Sequence, residues 1–273
     1  MEASMWQSFF EEFFTNGFQR PAAGFFSWQH LAVVIPGLLL MTFLAFYFGK
    51  KKKNASFDSK LKVLKIGAII MDGAELIKLT LAVIEFKDFS VLLSILPLFL
   101  CSIQLIALPL AAFTKGRMQK AMLDFVFIFG LLGAILGTLM AGNIYSYYPA
   151  LHFAPLVSMF THGIAGFASL YIGIAGLATM EKKNIAVTVG TFLCFLVVAE
   201  VVNLSLHKNY MFLVTPDGTP FEIVWSWTQG NPVLYPILVS LLMVLYMGAF
   251  YGVYYAVKSA LAKKTQRLAD AHA

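Results

Sequence analysis

The sequence contains few charged residues and few cysteines. Only 12% of its 273 residues are Asp, Glu, Lys or Arg, whereas 59% are hydrophobic; a soluble globular domain has about 25% charged residues. The only two cysteines, Cys101 and Cys194, lie in separate apolar runs, which excludes a disulfide framework and zinc-type cysteine spacing. No polar stretch is long enough to form a soluble domain with its own core. The composition indicates one domain that lies in a lipid bilayer.

Other signals are missing as well. The sequence has no internal repeat and no matched pair of Gly- or Pro-broken apolar runs, which mark many transporters. The last apolar run has no lysine before Lys258, so it offers no residue for a retinal Schiff base. Residues 1–28 lack a continuous apolar stretch, and we expect no signal peptide there. We also expect no metal and no other cofactor.

Seven apolar runs are close to the roughly 20 residues that a membrane-spanning helix needs. They are residues 29–49, 62–85, 90–113, 119–141, 151–179, 184–206 and 232–257. The second run is the least apolar because it contains charged residues. The sequence therefore predicts an all-α fold, a polytopic seven-helix transmembrane bundle.

The basic residues predict how this bundle is oriented. Fifteen of the 20 Lys and Arg residues follow the first, third, fifth and seventh runs, and basic residues concentrate in cytoplasmic loops. This places the N-terminus outside and the C-terminus in the cytoplasm. The net charge of +6 then reflects topology and contacts of the cytoplasmic basic loops with anionic lipid headgroups, not nucleic-acid binding.

Three regions follow from this topology. Residues 1–28 carry aromatic side chains at helical spacing and are predicted to form an interfacial amphipathic segment. Residues 29–258 form the seven-helix membrane domain, and its outer loop, residues 207–231, contains turn residues and two tryptophans. Residues 259–273 form a basic cytoplasmic tail.

Ionisable and nucleophilic side chains inside a membrane mark function by default because they cost several kcal/mol there. Cys101 and His162 each lie about 11 residues into runs that enter from the outer face, roughly 17 Å at 1.5 Å per residue. The predicted helix also places Pro97, Cys101 and Gln104 on one side. A thiol and an imidazole at matching depth can form a nucleophile and its base. Taken alone, Cys101 is better explained by packing, since free cysteines are among the most buried residues.

Four further residues are candidates for supporting roles. Gln104 and Asn203 are candidate oxyanion stabilisers, whereas Glu75 and Glu200 are candidates for orienting His162. Glu75 can also pair with Lys78 at i,i+3, in which case its role is structural neutralisation.

Several stretches are similar to a known family. The segments LPLFLC, SMFTHGIAGFASLYI and VVNLSLHKNYMFLVTPDGTP resemble the YwaF-like family of bacterial integral membrane proteins, whose animal relatives are described as cysteine-dependent phospholipid acyltransferases. The resemblance implies that Cys101 is the active cysteine and His162 its histidine. It also implies an integral protein of the bacterial plasma membrane. Bacterial relatives commonly carry a histidine two residues before the cysteine, where this chain has Phe99.

Three functions remain open at this point. The first is an intramembrane lipid acyltransferase or acyl hydrolase, with membrane phospholipids and lysophospholipids as its partners and substrates. The second is a transporter or ion-coupled carrier that uses the intramembrane carboxylates. The third is a non-catalytic membrane scaffold.

Overall fold

The computed structural model describes residues 5–271, which are largely helical and contain no β-strand. Within them lie the helices α1 (Met5–Phe14), α2 (Trp28–Lys52), α3 (Phe57–Phe86), α4 (Gln104–Phe113), α5 (Gly116–Leu139), α6 (Gly142–Tyr145), α7 (Phe153–Ile174), α8 (Lys182–Leu206), α9 (Glu222–Thr228) and α10 (Leu234–Ala271). Two short 3-10 helices span Phe89–Ser94 and Tyr210–Phe212. The all-α prediction is confirmed.

Five of the described helices are long and apolar enough to cross a membrane: α2, α5, α7, α8 and the Leu234–Lys264 part of α10. Helix α3 has 30 residues but carries several charged side chains. Helix α4 has only 10 residues, about 15 Å at 1.5 Å per residue. The seven crossings and their orientation therefore stay predictions.

Helix α5 is the centre of the bundle. It packs against α7, α4, α8 and α2, and small residues allow the approach to α7. A Cβ atom on Gly130 would lie 2.6 Å from the carbonyl oxygen of Ala165, so only glycine fits there. The Ser169 hydroxyl donates to the Phe127 carbonyl at 2.8 Å across the same contact. Close packing of small residues is the usual way in which helices associate in lipid.

The third apolar run differs from its prediction. Residues 90–113 do not form one helix: a 3-10 helix ends at Ser94, an irregular segment follows, and α4 begins only at Gln104. Pro97 lacks a backbone donor and disfavours helical geometry at Leu96. The prediction that Pro97, Cys101 and Gln104 share a helix face was therefore wrong. The depth predicted for Cys101 assumed that it lies 11 residues into a helix, and this assumption was wrong as well.

A buried carboxylate closes the turn between α7 and α8. Asp124 of α5 is fully buried and accepts hydrogen bonds from the backbone N–H groups of Thr179 and Met180, each at 2.9 Å, and from the Thr179 hydroxyl. Buried polar groups need such partners, and these hydrogen bonds give Asp124 a structural role that the sequence reading had missed.

Hydrogen bonds join the N-terminal segment to the end of α3 and to the start of α7. The ring Nε2 of His152 donates to the Thr15 carbonyl at 2.9 Å, and the backbone N–H of Asn16 donates to Glu85 at 2.5 Å. The helix expected from the aromatic spacing is present as α1, whereas its position in the membrane interface stays a prediction. Residues 1–4 of this predicted segment and residues 272–273 of the predicted tail lie outside the described residues.

Candidate active site

Cys101 and His162 line one cavity of about 60 Å³ between α3, α7 and the segment before α4. His162 reaches the cavity from the middle of α7, and Cys101 from the turn that precedes α4. The thiol and the imidazole are close enough to interact directly. The two residues that the sequence singled out as nucleophile and base are thus brought together, although Cys101 does not lie on a helix.

The hydrogen bonds of His162 define its tautomer. Its Nδ1 lies 2.6 Å from the carbonyl oxygen of Ser158, one turn earlier on α7. A carbonyl oxygen can only accept, so Nδ1 carries the proton and Nε2 of the neutral ring has a free lone pair. Nε2 is buried and has no hydrogen bond of standard geometry to any residue between 5 and 271. The ring is therefore oriented as a base.

Two glycines of α5 form the back of this site. A Cβ atom on Gly137 would lie 2.1 Å from both Cδ2 and Nε2 of His162, and one on Gly133 would lie 3.3 Å from the Cα atom of Cys101. Any side chain at Gly137 would displace the imidazole. No sequence pattern marks these glycines, since their role depends on which helix faces them.

An ion pair lies on the α3 side of the cavity. The Lys78 ammonium and the Glu75 carboxylate are 2.6 Å apart, with 28% and 13% of their side chains exposed. This is the i,i+3 pair that the sequence indicated. Glu75 does not orient His162 through Nδ1, because the Ser158 carbonyl occupies that nitrogen.

The backbone around Cys101 supplies donors that the sequence reading had missed. The N–H groups of Cys101 and Ser102 lie near the sulfur. Backbone N–H groups can stabilise negative charge, and an oxyanion that forms beside the sulfur would lie close to them. The Ser102 hydroxyl is engaged with the backbone of Phe99 at 3.0 and 3.1 Å.

The other three predicted residues do not line this cavity. Gln104 is buried beside it, and neither polar atom of its side chain has a partner among the described residues. The amide of Asn203 bonds the backbone of Tyr210, at 2.6 Å to N and 3.0 Å to O, so it holds the outer loop. On α8, Glu200 has one buried oxygen that bonds no residue of the described chain.

Phe99, two residues before Cys101, packs against the outer loop. Its ring lies 5.2 Å from that of Tyr210 and 5.3 Å from that of Phe212, measured between centroids. The Tyr210 hydroxyl also donates to the Leu93 carbonyl at 2.8 Å and accepts from the Leu96 backbone N–H at 3.1 Å. The loop therefore holds the segment that carries Cys101.

Comparisons with known proteins identify the family. Residues 25–251 match the model of the TMEM164 family, and this stretch includes every residue of the Cys101–His162 cavity. No curated protein and no solved structure gave a match. Because the match covers most of the chain, this protein belongs to the TMEM164 family, a family of transmembrane proteins.

Proposed function

We propose that this protein is an intramembrane cysteine acyltransferase that acts on phospholipid esters. The observation that carries the proposal is the shared cavity of Cys101 and His162, in which the Ser158 carbonyl leaves Nε2 of His162 free to act as a base. The resemblance to the YwaF-like family, whose animal relatives are described as cysteine-dependent acyltransferases, supports the same chemistry.

In the first half-reaction, Nε2 of His162 takes the proton from the Cys101 thiol, and the sulfur attacks the carbonyl carbon of a lipid ester. A C–S bond forms, and the negative charge on the carbonyl oxygen is stabilised by the backbone N–H groups of Cys101 and Ser102. The ester C–O bond then breaks, and His162 returns the proton to the departing lysophospholipid oxygen. The acyl group remains on Cys101 as a thioester.

In the second half-reaction, the hydroxyl group of a lysophospholipid gives its proton to His162 and attacks the thioester. The C–S bond breaks, a new ester forms, and the proton returns to the sulfur. If water replaces the lysophospholipid, the same steps give a free fatty acid. In this proposal the ester group enters the cavity of about 60 Å³, while the acyl chains stay in the surrounding lipid.

The proposal also covers the membrane in which the protein lies and its topology. We place the protein in the bacterial plasma membrane with seven crossings, α3 and residues 90–113 being the second and third, and with the N-terminus outside. Phospholipids and lysophospholipids are then its substrates, and the cytoplasmic basic loops contact anionic lipid headgroups. Residues 1–28 lie in the outer interface, and residues 259–273 form the cytoplasmic tail.

The acyl-enzyme provides the direct test. The purified protein, held in lipid discs with a phospholipid of defined acyl chains, is digested and analysed by mass spectrometry. We expect Cys101 to gain the mass of one acyl group, removable by neutral hydroxylamine as a thioester. Cys101→Ala should abolish lipid turnover, whereas Cys194→Ala should preserve it, because Cys194 is exposed on α8 and does not line the cavity. Full turnover by Cys101→Ala would refute the proposal.

An ion-coupled carrier is the second candidate, and one observation favours it. Asp72 of α3 and Glu200 of α8 each have a buried carboxylate oxygen without a partner in the described part of the chain. Intramembrane carboxylates of this kind are found in proton relays. A carrier should keep its activity when both cysteines are replaced, whereas the acyltransferase should lose it.

A further inference from the structure

A second cavity, which we call the outer cavity, has a volume of about 420 Å³. It lies where α3 and α8 end, beside the 3-10 helix Phe89–Ser94. The proposed acyl transfer does not use it, and it shares no residue with the Cys101–His162 cavity. Its volume falls in the range of about 300–1,000 Å³ that is usual for small-molecule sites.

Charges of opposite sign line the outer cavity. The Lys208 ammonium donates to the Ser94 hydroxyl at 2.8 Å. The Asp88 carboxylate accepts the backbone N–H of Ser90 at 2.8 Å and the Ser90 hydroxyl. These hydrogen bonds hold the pKa of the Asp88 carboxyl below its usual value, so the group is charged at neutral pH. No ion pair joins Asp88 to Lys208 in the residues that the structure covers, so each charge stays available to a ligand.

The rest of the lining is apolar and exposed. Phe86 and Leu206 line the cavity, and 55% and 36% of their surfaces are accessible. Charged groups beside exposed apolar side chains at helix ends are suited to an amphipathic ligand, whose polar part meets the charges while its hydrocarbon covers the apolar surface.

We infer that the outer cavity binds the headgroup of a zwitterionic glycerophospholipid, with the phosphate on Lys208 and Ser94 and the ammonium on Asp88. An anionic lipid would satisfy Lys208 but would place its excess negative charge near Asp88, so the lining favours a headgroup with both charges. This inference goes beyond the proposed acyl transfer and does not require Cys101 to react.

The outer cavity shares a wall with the segment that leads to Cys101. One wall is the 3-10 helix Phe89–Ser94, and the Tyr210 hydroxyl bonds both Leu93 of this wall and Leu96 of the segment that leads to Cys101. A lipid in the outer cavity would therefore contact the same wall that positions this segment.

Binding is tested with the full chain in detergent and a short-chain phosphatidylcholine as the titrated probe. The Cys101→Ala variant serves as the background, so that binding is measured without acyl transfer and a failure of the proposed chemistry leaves the result interpretable. We expect saturable binding that Lys208→Gln weakens by about tenfold, because a charge-assisted contact to the phosphate is lost. Lys87→Gln is the matched control, since Lys87 is an outer-side lysine that does not line the cavity.

A second variant tests the assignment of the ammonium. Asp88→Asn keeps a side chain that can accept the backbone N–H of Ser90 but removes the charge. We expect the Asp88→Asn variant to bind short-chain phosphatidylglycerol and phosphatidylcholine with equal affinity, whereas the parent should bind phosphatidylcholine more tightly. Unchanged binding in Lys208→Gln, or the same loss in Lys87→Gln, would overturn the site. Free phosphocholine that binds as tightly as the lipid would overturn the assignment to a membrane lipid.

Discussion

The junction around His30 and the cavity around His162 use the same side chain in opposite ways. His30 is fully buried near the start of α2, where its Nδ1 accepts the backbone N–H of Phe26 at 3.1 Å and its Nε2 donates to the Thr138 carbonyl at 2.9 Å. Its ring also stacks on Tyr145 at 3.9 Å between centroids. His162 has one nitrogen bonded to Ser158 and the other directed at the cavity.

The difference shows how to distinguish a structural histidine from a chemical one. When both ring nitrogens are bonded to the backbone, no lone pair is left for a proton transfer, and the side chain holds two segments together. When only Nδ1 is bonded, the ring is oriented and Nε2 remains reactive. His152 belongs to the first group, because its nitrogens bond Ala154 N–H and the Thr15 carbonyl.

The largest expected effect comes from removing the free nitrogen. His162→Gln should lower lipid turnover by about 10²–10⁴-fold, the usual contribution of a general base. The fold should persist, since the amide of glutamine can still donate to the Ser158 carbonyl. Turnover is measured by mass spectrometry of the lipid products, and folding by thermal unfolding of the same sample. Normal turnover in this variant would show that His162 is as structural as His30.

The next effect comes from displacing the ring instead of replacing it. Gly137→Ala would bring a Cβ atom to 2.1 Å from Nε2 of His162, and a shift of about 1 Å in a catalytic group costs on the order of 10²-fold in rate. We expect turnover to fall by about that factor.

Gly163→Ala is the matched control for this change. Gly163 is adjacent to His162 on α7, and a Cβ atom there meets nothing within 4 Å. This variant should keep full turnover and gain up to about 1 kcal/mol of stability from its helix propensity. Equal losses in the two variants would mean that the contact with His162 is not the cause.

Replacing His30 should affect stability and not chemistry. His30→Ala leaves the buried Thr138 carbonyl and the Phe26 N–H without their partner, at a cost of about 1–3 kcal/mol for an unsatisfied buried group. Denaturant titration in detergent measures the free energy of unfolding. The folded fraction should retain its turnover per molecule. A specific loss of turnover with unchanged stability would reverse the roles assigned to the two histidines.

The smallest effect is the pH dependence that His152 contributes. Burial lowers the pKa of its imidazole, so the unfolded state binds the proton first as the pH falls. The stability from this group is therefore complete above the unfolded pKa of about 6.5 and is lost as the pH falls through the lower folded pKa. We expect the melting temperature of the parent to decrease over this window more than that of His152→Gln. Identical pH profiles would contradict the expectation.

Part of the candidate site could be predicted from the sequence. Cys101 and His162 were chosen because the predicted runs put them at matching depth and because the family resemblance implies this pair, and the structure places them at one cavity. Gln104, Asn203 and Glu200 were chosen for their polar side chains, but they lie outside it. Side-chain chemistry identifies candidates, whereas the direction in which a residue faces depends on how its helix packs and, for Gln104, on where the helix begins.

Sequence by itself determined the all-helical class and the five long apolar helices, because hydropathy and length are local properties of a chain. It also determined the Glu75–Lys78 pair, since residues three apart on a helix are neighbours. The break before α4 has a local cause in Pro97, which disfavours a helix there. Only the tertiary structure decided that Nδ1 of His162 meets the Ser158 carbonyl and that Gly137 leaves room for the ring. Both depend on how α5 and α7 pack together, because this packing limits the rotamers that His162 can adopt.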